Sequence, residues 1–179
     1  MTEELSKMKL PRFLFTVAFS LLFALSAFAQ STTFSDESVD YSFELPEATW
    51  KQTVKPSTTS PNVEYVFGDR ANGHLDVRRI AVKSGEMLAD IMRNEEQRLQ
   101  FQPGFVAGKE EDFKGALSGR VFNYEFVRSG RTMSGRFYFL KADDSTVYVL
   151  RFTGQEAKLR SIRNQTESIA RTFNLKKAK

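Results

Sequence analysis

The spacing of apolar and polar positions along this chain changes several times, and each change predicts an element. Residues 13–29, FLFTVAFSLLFALSAFA, form one unbroken apolar run. Lys7, Lys9 and Arg12 precede it, and the small residues Ala27 and Ala29 stand at its exit. A basic lead, an apolar core and small residues around the exit predict a secretory signal peptide cleaved after Ala29. At about 1.5 Å rise per residue, the run falls short of a ~30 Å hydrocarbon core, which argues against a retained anchor. Glu3 and Glu4 sit oddly in such a lead, whereas MKLPR from Met8 is a compact basic one. Met8 is therefore an alternative start to Met1.

Residues 30–40, QSTTFSDESVD, are polar and aperiodic and read as a flexible leader. From Tyr41 to Leu45 the pattern alternates with period two and stops at Pro46, predicting a strand. Trp50–Val54 makes a second strand, and 55–61 a polar loop. Segments 62–68 and 74–83 read as a hairpin around 69–73, with Asn72-Gly73 supplying positive φ. Ser84 is placed to cap a helix over about 85–101, with Glu86 in its first turn. Met87, Leu88, Ile91, Met92 and Leu99 share one face of that helix, and Pro103-Gly104 ends the segment. Glu95 interrupts the stripe and has two readings: a carboxylate reaching the rim to pair with Arg98, or a buried acid beside a pocket.

Four extended segments follow at 105–113, 116–128, 131–142 and 145–153. Turns are expected at Ser129-Gly130 and Asp143-Asp144. Phe122, Tyr124 and Phe126 fall on one face of their strand. A final helix over about 155–173 buries Leu159, Ile162, Thr166, Ile169, Ala170 and Phe173. Arg163, Glu167 and Arg171 form a ladder on its flank. Residues 176–179 are a solvated basic tail. Strands joined by hairpins, with only two main helices, define an α+β domain over 41–175: an α/β/α sandwich with a central antiparallel sheet.

Composition narrows the setting. The whole chain carries a net charge of +4, and loss of the presequence removes three cations and two anions, leaving a mild +3. A nucleic-acid module shows a larger, clustered excess. Cysteine is absent. This excludes disulfides and lipid attachment at the cleavage site, so packing alone holds a domain of this size. A periplasmic or secreted bacterial protein fits best.

The residues for catalysis are sparse. A Ser-His-Asp set would have to use the single histidine, His74, with Asp76 on the same strand face, and no Gly-x-Ser-x-Gly elbow is present. One imidazole without thiolates does not make a structural zinc site, and Asp143-Asp144 lacks the alternating ligands of a calcium loop. Nothing selects a pair of carboxylates for glycoside chemistry. No catalytic, cofactor-binding or metal-ligating residue is therefore assigned. The arginines are richer: Arg78, Arg120, Arg136 and Arg151 all fall in predicted strands. They either bridge cross-strand carboxylates or hold an anionic ligand such as a glycan or lipid headgroup. Gly135–Phe139 partly matches the aromatic sheet motif of RNA-binding domains, but the match is incomplete and export removes the protein from nucleic acid.

The opening Tyr41-Ser-Phe43-Glu-Leu45-Pro46 with Trp50 resembles the start of PsbP/DcrB-like domains. Gly119-Arg120, Tyr124, Phe137–Leu140, Val147–Leu150 and Ile169–Phe173 follow in the same order over about 41–174. This resemblance implies an α/β/α sandwich shared with the photosystem II extrinsic protein, bacterial envelope proteins and a nuclear-import factor that binds a small GTPase. It further implies an accessory or docking module without catalytic apparatus. The expectation is thus an exported, non-catalytic module binding an envelope protein, without disulfide partner, nucleic acid or stable membrane insertion. The alternatives are an anionic-ligand binder and a carboxylate-based enzyme using Glu95.

Overall fold

Two neighbouring stretches, 137–140 and 147–150, are apolar at every position, so they need a covered layer on both faces. A computed structural model describes residues 32–83 and 85–176. The signal segment, its cleavage point, the Met8 start, the Ser84 side chain and residues 177–179 lie outside the described residues. In chain order the elements are β1 (Thr32–Ser35), β2 (Tyr41–Leu45), β3 (Trp50–Val54), β4 (Val63–Phe67) and β5 (Asp69–Ala81), followed by α1 (Leu88–Leu99). Then come β6 (Val106–Lys114), β7 (Ser118–Arg128), β8 (Arg131–Lys141) and β9 (Thr146–Gln155). The chain closes with α2 (Glu156–Ser161), α3 (Arg163–Thr172) and β10 (Asn174–Leu175).

A seven-stranded antiparallel sheet of order β3-β4-β5-β9-β8-β7-β6 forms the middle layer. Its centre, β8 and β9, holds the two apolar stretches, and all eight of their residues are buried. Phe122, Tyr124, Phe126, Phe137, Phe139 and Val149 meet Ile91, Met92 and Leu99 of α1 on one face. Val121, Tyr138, Leu140, Tyr148, Leu150 and Phe152 face the other way, toward Leu159, Ile162, Ile169 and Phe173. A small sheet of order β1-β2-β10 completes that second cover with Phe34, Tyr41, Phe43 and Leu45. The result is the expected α+β sandwich: α1, the large sheet, then α2 and α3 with the small sheet.

Several local expectations are corrected. Residues 32–35, read as part of a flexible leader, are β1, because pairing with β2 buries Phe34. The first helix spans 88–99 rather than 85–101, and its N-cap is Met87 rather than Ser84. Asp90 supplies the first-turn acid and accepts from the Met87 N–H at 3.0 Å, while Glu86 precedes the helix and accepts from the Lys83 N–H. The last helix is two, broken at Ile162 (φ −104°, ψ 17°), although the whole predicted stripe from Leu159 to Phe173 is buried. The β4–β5 turn takes its positive φ at Gly68 (+71°) instead of at Asn72-Gly73. Asp69 then accepts from the Ala71 and Asn72 N–H groups, and the register shifts there. Lys176 is part-buried and its ammonium donates to the Val39 carbonyl at 3.0 Å, so it is no free tail.

Candidate functional site

Strand parity sends the four candidate arginines to different places. Arg78 and Arg151 point to the α1 face, where they join a charged band that α1 leaves half-covered. Arg78 lies 3.2 Å from Asp76 and 3.1 Å from Glu95. Glu95 is only 6% exposed and accepts from Arg98 at 2.8 Å on its other oxygen. Both readings of Glu95 thus meet in one side chain, buried and paired. Guanidinium donors on both oxygens hold this carboxylate in place. Arg151 lies over the Phe137 ring and donates from Nε to the Tyr124 hydroxyl at 2.9 Å.

The same band contains the lone histidine. His74 Nε2 lies 2.9 Å from Glu64, which also pairs with Arg70. Burial works to raise the Glu64 carboxyl, yet the His74 and Arg70 groups hold it below its usual value. Asp76 is raised instead, because its burial outweighs the Arg78 charge. His74 is therefore held by a carboxylate on the neighbouring strand. Arg120 stands apart near the sheet edge and pairs with Glu110 and Asp112 of β6 at 3.2 and 3.4 Å.

Arg136 has a different setting. It faces a cleft of about 590 Å³ between β6–β8 and the helices α2 and α3. Val106, Ala107 and Leu159 give that cleft apolar walls, and Asn123, Ser134 and Thr166 give it polar ones. Arg160 and Arg163 approach from the helices. Arg160 is paired with Glu156, and Lys109 lies 3.7 Å from Glu111. Arg136 is only 8% exposed, and its buried Nε has no hydrogen-bond partner among the described residues. Its guanidinium lies over the Tyr138 ring at 5.2 Å.

A third feature is apolar. Phe101, just past α1, is 90% exposed. Its loop is fixed: Gln102 N–H donates to Leu99 O at 2.8 Å, Phe105 N–H to Gln102 O at 3.2 Å, and Val127 N–H to Pro103 O at 2.7 Å. Val106 and Val127 are exposed beside this loop, and Arg128 and Arg131 flank the adjoining β7–β8 turn. Sequence patterning missed this end of the molecule. The only signal was a Phe two residues before the helix-ending Pro103-Gly104.

No group of three or more His, Asp or Glu residues that could hold a metal occurs among the described residues. Nor is any described helix long and apolar enough to cross a membrane. No protein-family model matches the chain, and no curated protein matches it in sequence. Solved structures do match. The yeast Saccharomyces cerevisiae Ran-binding protein Mog1p superposes with a TM-score of 0.59 at 9% identity, covering 82% of this chain and 96% of that one. PsbP (CyanoP) of the cyanobacterium Synechocystis gives 0.56 at 15% identity, covering 84% and 95%. LpqN of Mycobacterium tuberculosis, described as involved in cell envelope biogenesis, gives 0.53 at 15% identity, covering 82% and 91%. The fold is thus the α+β fold of PsbP and Mog1p, as the sequence resemblance implied.

Proposed function

We propose that this chain is an exported, non-catalytic docking module that binds a protein partner in the bacterial envelope. The observation that carries the reading is the exposed ring of Phe101 on a loop held by backbone hydrogen bonds. A backbone already held in place loses little entropy on binding, and aromatic anchors dominate interface energetics. Arg128 and Arg131 at the rim favour a partner whose apolar pocket has an acidic border. Export rests on the apolar run 13–29. The description of LpqN as an envelope-biogenesis protein and of Mog1p as Ran-binding supports an accessory, protein-binding role.

The test places a photo-crosslinking phenylalanine analogue at position 101 in the native envelope, with a second at exposed Lys51 as control. One dominant adduct is expected from 101 and none from 51. Phe101→Asp should weaken binding of that partner by about thirtyfold, the equivalent of about 2 kcal/mol, without lowering Tm. Unchanged affinity in Phe101→Asp would overturn the docking surface. Turnover in a broad hydrolase screen would overturn the non-catalytic reading.

A further inference from the structure

The cleft behind Arg136 lies against α2 and α3, and its chemistry points to a second binding function. Arg78 and Arg120 each have two carboxylates within ion-pair distance. Arg136 takes part in none of the ion pairs among the described residues, although it is the most buried of the four. Burying a guanidinium without an anion or full hydrogen bonding is costly, and a cation–π contact offsets only about 1–2 kcal/mol of that. Glu167 is one candidate counter-ion, its carboxyl held down chiefly by Arg171 and in smaller part by the Arg136 charge. Its carboxylate, however, is already engaged by Arg171 Nε and Nη2 at 3.0 and 2.6 Å.

The surroundings define what would complete the site. With Arg160 taken by Glu156 and Lys109 by Glu111, the remaining cationic groups lining the cleft are Arg136 and Arg163, with Glu125 the one remaining acid. A planar guanidinium at the floor suits the two oxygens of a carboxylate or phosphate. Val106, Ala107 and Leu159 along the walls suit an apolar body, and the volume is that of a small-molecule site. We propose that this cleft binds a small amphipathic oxyanion, its carboxylate or phosphate head on Arg136 and Arg163 and its chain along Leu159. Of the four arginines singled out by their strand positions, Arg136 alone is the anchor; Arg78, Arg120 and Arg151 are structural.

Titration of the purified chain with octanoate, octyl phosphate, inorganic phosphate and octanol, followed by amide chemical shifts, tests this. Octanoate and octyl phosphate should saturate in the millimolar range or below, with shifts confined to residues 106–109, 134–136 and 156–166, and their relative affinity identifies the head group. Octanol and inorganic phosphate should each bind at least about tenfold more weakly, since each lacks half of the recognition. Arg136→Met should weaken the tighter amphiphile about tenfold or more and leave Tm unchanged or raised, because it removes a buried cation while keeping the packing. A fall in Tm with affinity intact would show a structural arginine and overturn the proposal. Equal binding of octanol, or no saturation by either amphiphile, would do the same. Should Arg136→Met fail to fold, Arg163→Gln on the exposed helix carries the test, and undiminished binding there overturns the assignment.

Discussion

Gly135→Ala is the substitution whose consequence can be followed furthest. Gly135 of β8 lies opposite Tyr124 of β7, and the tyrosine ring lies across it. A Cβ at 135 would stand 2.0 Å from Tyr124 Cζ and 2.3 Å from its Oη. The ring is buried and has no easy escape, since Phe122, Phe126 and Phe137 stack on it at 6.0, 5.8 and 5.5 Å. Displacing it also breaks the hydrogen bond from Arg151 Nε. Overpacking costs about 1–3 kcal/mol, and loss of a hydrogen bond from a charged donor about 1.5–3 kcal/mol. Alanine returns about 0.5–1 kcal/mol through its smaller loss of backbone entropy. The net is a destabilisation of about 3 kcal/mol, or a Tm lower by about 6–12 °C. Urea unfolding of Gly135→Ala, Tyr124→Leu and the double variant measures it. With Tyr124 replaced by leucine, the same Gly→Ala change should cost almost nothing, so the two sites are strongly coupled. A loss below about 0.5 kcal/mol in the natural background, or the same loss in both, would refute the reasoning.

Two further predictions follow from the core and the turns. Tyr41, Tyr65, Tyr124, Tyr138 and Tyr148 are all pushed above their ordinary value of 10.0 by burial, Tyr65 to about 12. Their stabilisation is complete below pH 10.0 and is lost as pH rises toward the folded values, because only the unfolded chain ionises in that window. Ultraviolet difference absorbance should therefore show phenolate appearing together with unfolding; ionisation near pH 10.0 in an intact fold would contradict this. In the β7–β8 turn, Ser129 and Gly130 both hold positive φ, +51° and +71°. Ser129→Asn should stabilise by about 0.5 kcal/mol and Gly130→Ala should cost about 1 kcal/mol. The second loss is purely backbone, as no atom lies within 4 Å of the added Cβ. Chemical unfolding midpoints check both.

What was legible in the residues is what depends on near neighbours. The Ser129-Gly130 turn, the alternation of β7 and the buried stripe from Leu159 to Phe173 are all set by side chains a few positions apart. So was the class of the fold, because hairpin-joined strands with two helical segments admit few layered arrangements. Even the family resemblance rested on core residues, and it held at the level of fold for that reason. Element ends were less legible. Ser84 has the side chain of a cap, yet α1 begins after Met87, where Asp90 accepts from the Met87 N–H.

Tertiary structure decided where the arginines went. Arg78, Arg120, Arg136 and Arg151 share one local pattern, a cation in an alternating strand, yet one lies by the sheet edge, two in a charged band and one in a cleft. Their fates hang on the β5–β9 pairing, which sets Asp76 opposite Arg151, 75 positions on, and on which face α1 or α2 and α3 cover. The exposure of Phe101 is a fact of the same kind, decided by where its loop is bonded. Such outcomes follow from matching whole buried faces across long loops, and no short window of sequence contains that energy.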